Sequence, residues 1–150
     1  MTEELTESQR DVLRRRISRL EGAIVDRNAE IRIIEENIGI LEAERDRIDN
    51  TLLNFSESYL AGYVSNLDTT HVRAFNGVSR TKLEDILTEM RDEISSRKND
   101  HRENMDIIRQ KVTKLEADVT SLNSENVRDS VRVTNLRWEL ATGGQPQPNF

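Results

Sequence analysis

The sequence predicts an all-α protein, an elongated antiparallel helical hairpin or coiled coil with an irregular tip. Apolar residues recur in alternating steps of three and four along two long segments, and turn-forming residues cluster between those segments. Charged residues make up 33% of the chain and aromatic residues only 4%. Such a composition cannot fill a thick globular core, whereas a coiled coil needs only a narrow apolar contact. We therefore expect one domain over residues 1–144 and a disordered tail over residues 145–150.

The first helix is expected over about residues 7–61. Thr6 and Gln9 have the spacing of a capping box, which favours a helix start, and Gly62 can end the helix. Twelve consecutive heptad core positions carry ten apolar residues and two arginines. This periodicity is typical of an amphipathic helix. The apolar members of this heptad core are Ile17, Leu20, Ile24, Ile31, Ile34, Ile38, Leu41, Ile48, Leu52 and Phe55.

The two arginines of this heptad core, Arg27 and Arg45, allow two interpretations. Their aliphatic stems can pack while the guanidinium groups reach water, or each guanidinium can meet a carboxylate on a partner helix and set the register. The flanking charges disfavour parallel self-pairing, because Glu30 would face Glu35 of the second chain. An antiparallel or heteromeric partner is therefore expected.

Residues 62–80 interrupt the apolar periodicity and are predicted to form the turn region. Phe75, Asn76 and Gly77 lie near its C-terminal end, and Asn-Gly is a strong turn signal. Phe75 can close the hairpin tip, or it can belong to a surface that a partner recognises. An irregular connection of this length is uncommon unless it is functional.

The second helix is expected over about residues 81–141, with Gly143-Gly144 ending it. Its heptad core carries the apolar residues Leu83, Leu87, Met90, Ile94, Met105, Ile108, Val112, Leu115, Val119 and Leu122. Carrying the first half of this register forward through Arg97 and His101 predicts a stutter before Met105. Trp138 near the helix end can pack over the open end of the hairpin or serve as an exposed partner anchor.

No pattern for catalysis, cofactor binding or metal binding is present. The chain has no cysteine, no glycine-rich phosphate loop and two histidines thirty residues apart. Its net charge of −6 disfavours nucleic-acid binding, because that affinity comes mainly from Lys and Arg. No stretch approaches the length of a membrane span, and the acidic N-terminus lacks a signal-peptide apolar run. We expect a non-enzymatic protein without cofactor or metal.

The order of parts resembles the WxG-type helical hairpins of bacterial type VII secretion, and most closely the YwqH-like small proteins encoded beside LXG-type toxins of type VIIb systems. Phe75-Asn76-Gly77 matches the position of the family's Trp-x-Gly turn, and Leu83 stands six residues past Gly77 as an apolar residue does in the family. Lys111–Asp118 is similar to the family's second helix. The resemblance covers roughly residues 10–140, with Phe in place of Trp and no Tyr-x-x-x-Asp/Glu export signal.

The resemblance implies a targeting factor that packs on the helical N-terminal domain of an LXG-type secreted toxin and assists its export. The implied partners are that toxin domain and a second small helical protein, and the implied location is the cytoplasm, with co-export by a non-Sec route. The alternative is a structural coiled-coil protein that self-assembles as a spacer or scaffold. The sequence also leaves open whether the hairpin closes within one chain or an open helix is completed by another chain.

Overall fold

The computed structural model describes residues 4–54, 78–145 and 148. Two helices, α1 (Glu7–Asn54) and α2 (Val78–Thr142), account for nearly all of these residues, and no strand occurs among them. The helices pack antiparallel: Glu21 pairs with Arg137, whereas Arg27, later in α1, pairs with Asp129, earlier in α2. The predicted all-α helical hairpin is confirmed, and it closes within one chain.

The start of α1 is fixed by the capping box that the sequence predicts. The Thr6 amide donates to Gln9 Oε1 at 2.8 Å, and the Gln9 amide donates to Thr6 Oγ1 at 3.3 Å. Each side chain thus satisfies a backbone donor that has no carbonyl partner within the first turn. The helix accordingly begins at Glu7, the residue after the cap.

The end of α2 is fixed by two glycines, again as the sequence predicts. Gly143 has a φ of +71°, a left-handed conformation that residues with a Cβ disfavour. The Gly144 amide then donates to the Glu139 carbonyl at 2.9 Å, the six-to-one bond of a Schellman cap. A Cβ on Gly144 would lie 3.5 Å from Leu5 Cγ, so the N-terminal residues contact this cap.

The chain divides into two compact units. The terminal unit comprises Met1–Ile38 with Lys114–Phe150, and the middle unit comprises Gly39–Thr113. Leu13, Ile17, Ile31 and Val133 are the buried apolar residues of the terminal unit, and Leu87, Met105 and Val112 are those of the middle unit. No described side chain is less than 2% exposed, so each unit has a thin core.

Burial along α1 follows the predicted heptad core. Every apolar residue of this heptad core from Ile17 to Leu52 is buried or half-buried, and the core arginines Arg27 and Arg45 are half-buried too. The structure also buries Leu13, four residues before Ile17 and outside the predicted heptad core. Its spacing from Ile17 continues the heptad by one step, and this spacing could have identified Leu13 as a core residue. The positions in question are Ile17, Leu20, Ile24, Ile31, Ile34, Ile38, Leu41, Ile48 and Leu52.

Burial along α2 departs from the predicted heptad core at one residue. Met90 is 43% exposed, so its assignment to the core is wrong. Lys98 is half-buried, whereas Arg97 is exposed, and steps of four and three from Leu87 through Lys98 reach Met105 without interruption. The predicted stutter is therefore unnecessary. The remaining described positions are buried or half-buried, namely Leu87, Ile94, Met105, Ile108, Val112, Leu115, Val119 and Leu122.

Several predictions of the sequence fall outside the described residues. These are the continuation of the first helix to residue 61 with Phe55, the turn at Phe75-Asn76-Gly77, and most of the tail. The side chain of Leu83 is likewise not described, although its backbone belongs to α2. Val78–Arg80, expected in the turn region, already belong to α2.

Candidate functional site

A layer of polar side chains interrupts the apolar core of the terminal unit. The Arg27 guanidinium donates from Nη2 to Asp129 Oδ2 at 2.7 Å and from Nη1 to Asn126 Oδ1 at 3.2 Å, and its Nε lies 3.2 Å from Glu125 Oε2. The Asn126 amide nitrogen donates to Asn28 Oδ1 at 2.9 Å. Asn126 and Asp129 are buried heptad core positions of α2. No buried side-chain nitrogen or oxygen among the described residues lacks a hydrogen-bond partner.

The carboxylate of Asp129 is the centre of this layer. Its side chain is 8% exposed, and Arg132 Nη1 lies 3.2 Å from its second oxygen. The hydrogen bond from Arg27 lowers the pKa of Asp129 below its ordinary value, and the charges of Arg27 and Arg132 act in the same direction. Desolvation opposes the shift but is the weaker influence. Asp129 therefore remains charged although it is buried.

The two core arginines of α1 have different environments. Arg27 meets carboxylates of α2, which is the register-setting alternative, although the partner helix belongs to the same chain. Among the described residues, Arg45 hydrogen-bonds only its sequence neighbour Asp46, at 3.1 Å, and about a third of its side chain is exposed. Sequence could not separate these cases, since the difference lies in which α2 residues stand opposite.

The polar layer favours one alignment of the two helices. A slip of one heptad along α2 would place Arg27 against Val133 and Leu136 or against Val119 and Leu122. In either position the half-buried Arg27 guanidinium would have no carboxylate opposite it, and Asp129 would keep only its contact with Arg132 on the same helix. Polar core residues of this kind specify register in coiled coils.

The helices also carry apolar side chains on the faces turned away from each other. On α1, Gly22, Val25, Ala29 and Ile33 lie within an arc of about 80°, and we call this set the α1 outer face. Val25 is 65% and Ile33 60% exposed. A Cβ built on Gly22 meets no atom within 4 Å. The described chain thus leaves this face uncovered.

On α2, seven residues in alternating steps of four and three form the α2 outer face. They are Thr120, Ser124, Val127, Val131, Thr134, Trp138 and Ala141. None is charged, and the exposed fractions of Val127, Val131 and Trp138 are 66%, 55% and 40%. The hydroxyls of Thr120, Ser124 and Thr134 donate to the carbonyls four residues earlier at 2.9–3.0 Å. These hydroxyls are therefore satisfied by their own helix.

A groove of about 750 Å³ adjoins this face within the terminal unit. Its lining contains no charged residue, which is unusual for a chain that is one-third charged. The lining residues are Ile24, Asn28, Asn123, Asn126, Val127, Ser130, Val131, Thr134 and Asn135. The amides and hydroxyls around it can donate and accept hydrogen bonds.

The position of Trp138 bears on its two interpretations. Its ring shares the α2 outer face with Val127 and Val131 and remains well exposed. This exposure favours an anchor for a partner over a lid on the end of the helix pair. Tryptophan in such a position contributes strongly to interfaces when it becomes covered.

The described residues contain no cluster of three or more potential metal-ligating side chains. His101 is exposed on α2, and His71 lies outside the described residues. Neither described helix has an apolar segment long enough to cross a membrane. No protein-family model, curated protein or solved structure matches the chain.

Proposed function

We propose that this chain is a binding protein for a helix of another protein, and that the α1 outer face takes that helix. The observation that supports this is the exposure of Val25 and Ile33 beside Gly22 and Ala29, with no side chain of the described residues covering them. Covering apolar surface is the main driving force of association, at about 25 cal/mol per Å² of apolar area.

Gly22 supports the same proposal by a different argument. A glycine in the middle of a helix destabilises it by about 1 kcal/mol relative to alanine. Within this chain no neighbouring group exploits the missing side chain, because the space above Gly22 is open. An approaching helix can use that space, since small residues allow two helix backbones to come close.

The finer part of the proposal names the partner. From the resemblance to YwqH-like proteins, we propose that the bound helix belongs to the helical N-terminal domain of an LXG-type toxin, and that binding assists export through a type VIIb system. The turn residues Phe75-Asn76-Gly77, on which the resemblance rests, are outside the described part of the chain. Support for this partner therefore comes from the sequence.

The test is co-expression with the helical N-terminal domain of the toxin encoded by the neighbouring gene, followed by size-exclusion chromatography. Ile33→Asp should abolish co-elution, because a carboxylate on the α1 outer face would be buried without a partner. Ile107→Asp is the matched control: Ile107 is similarly exposed but lies on α2 in the middle unit. Both variants should keep wild-type helical circular dichroism.

The alternative function, a self-assembling spacer, gives a different result in the same experiment. A spacer would form large assemblies without the toxin domain, and their size would grow with protein concentration. If Ile33→Asp and Ile107→Asp reduce co-elution equally, the α1 outer face is not the binding surface. Absence of any complex with the wild-type chain would remove the toxin partner.

A further inference from the structure

The α2 outer face is a second uncovered surface, on the other helix of the terminal unit. Over Thr120–Ala141 it is roughly 30 Å long at 1.5 Å per residue. Its seven residues follow the same spacing as a heptad core, although the true heptad core of α2 already faces α1. A helix with two such faces is typical of a bundle with more than two helices.

We propose that this face binds the same face of a second copy of the chain, with the two α2 helices antiparallel and the two-fold axis beside Val131. The proposal goes beyond the proposed function, which uses the α1 outer face. The product is a closed dimer whose interface contains α2 twice. Isologous contacts of this type are the commonest in soluble oligomers.

The order of side-chain sizes supports an antiparallel self-pairing. About a centre at Val131, residues equally far before and after it meet across the interface. Ser124 and Trp138, each seven residues from Val131, therefore face each other across the interface. Val127, four residues before the centre, lies beside Thr134 of the partner subunit, three residues after it. A small residue opposite each tryptophan leaves room for the indole ring, so both rings can be covered without overpacking.

The charges beside the face support the same alignment. The residues directly beside the face on the helix surface are Ser121, Asn123, Arg128, Ser130, Asn135, Arg137 and Thr142. Arg128 and Arg137 carry the only charges among these seven, which include no carboxylate. In the antiparallel alignment Arg128 lies near Asn135 of the partner subunit, and Arg137 lies near Asn123 of the partner subunit. No like charges meet, and each guanidinium finds an amide oxygen that can accept a hydrogen bond.

Desolvation of the face has a low free-energy cost. The hydroxyls of Thr120, Ser124 and Thr134 already donate to backbone carbonyls, so they lose no essential water when covered. Asn123 and Asn135 line the uncharged groove next to the face, where a flanking arginine of the second copy would enter. Apolar contact in the centre and amide groups at the edge match the usual anatomy of an interface.

Sedimentation velocity of the full chain over a micromolar concentration series tests the proposal. The wild-type chain should form a dimer, and Val131→Asp should be monomeric at the same concentrations, because two carboxylates would face each other at the two-fold axis. Val25→Asp is the matched control, since Val25 is also an exposed valine, 65% against 55% for Val131, but lies on the α1 outer face. It should remain dimeric, and circular dichroism should show both variants fully helical.

A single cysteine provides an independent test, because the chain has none of its own. Val131→Cys treated with diamide should become a disulfide-linked dimer nearly completely, whereas Val25→Cys should stay largely monomeric. A monomeric wild-type chain, a dimer that survives Val131→Asp, or a dimer that only Val25→Asp disrupts would overturn the proposal. Val131→Asp should still bind the toxin domain, because that binding uses the α1 outer face. Loss of the dimer with toxin binding retained therefore tests the dimer separately from the proposed function.

Discussion

Arg27 and Asp129 lie 102 residues apart in the sequence, and their side chains meet at 2.7 Å inside the helix pair. The bond joins a core position of α1 to a core position of α2 where apolar contacts are the rule. Asn126 and Asn28 complete the surrounding hydrogen bonds. The alignment of the terminal unit therefore depends on one charged pair as well as on apolar packing.

The lowered pKa of Asp129 predicts an acid-dependent loss of stability. Arg27 favours the charged carboxylate in the folded state, so the unfolded chain binds a proton more readily than the folded chain. The stabilisation is complete above the ordinary aspartate pKa, about 4, and is lost as the pH falls through the lower folded pKa. Thermal melts from neutral to acidic pH should fall more steeply for wild type than for Asp129→Asn. Asp106→Asn, which alters an exposed pair with Arg109, should retain the wild-type slope.

Identical substitutions at the two core arginines should have different effects on the melting temperature. Arg27→Leu removes the cation that neutralises Asp129, so the melting temperature should fall by several degrees. Arg45→Leu removes a charge that forms no hydrogen bond with the described side chains of α2, so the melting temperature should stay equal or rise. Circular dichroism melts at neutral pH measure both. An equal loss for the two variants would show that charge at these positions matters generally, without a specific role for Asp129.

Two isoleucines of α1, two residues apart, should differ strongly in their contribution to the free energy of unfolding. Ile31 is buried in the terminal unit, whereas Ile33 belongs to the α1 outer face. Ile31→Ala should cost about 2 kcal/mol or more, and Ile33→Ala less than about 0.5 kcal/mol. Urea unfolding at a low protein concentration, without a partner protein, gives both values. Similar costs would mean that the face is covered in the free protein.

In the middle unit, Leu87 and Met90 test the register of α2. Leu87 is the most completely buried apolar residue among those described, whereas Met90 is exposed. Leu87→Ala should lower the free energy of unfolding by about 2–3 kcal/mol, and Met90→Ala should change it by less than about 0.5 kcal/mol. A large effect of Met90→Ala would show that Met90 belongs to the heptad core of α2, as the register with the stutter predicts.

Sequence periodicity and capping chemistry predicted most of the fold. The Thr6–Gln9 cap, the Gly143-Gly144 end and the heptad core of α1 depend on residues close together in the sequence, so local rules suffice for them. Met90 was misassigned because its register was carried from the short apolar run near Leu87. The longer run after Met105 fixes the phase of α2 instead.

The candidate sites were less predictable from sequence. The partner of Arg27 lies 102 residues away and depends on how the two helices align, which no local pattern contains. The α2 outer face was recognisable in principle, since its uncharged residues recur in steps of four and three. It was missed because a second periodic face is informative only after the structure shows which face the other helix covers.

The division of the chain has a consequence for its folding kinetics. The terminal unit combines the two ends of the chain, so each of its contacts between helices closes a long loop through the whole of residues 39–113. Loop-closure entropy makes such contacts slow to form, and contacts within the middle unit close shorter loops. When the middle unit folds first, the loop that the contact between Arg27 and Asp129 must still close becomes shorter. During synthesis, the N-terminal half of the terminal unit must wait for Lys114–Phe150 to emerge, and its apolar residues stay without their intramolecular partners until then.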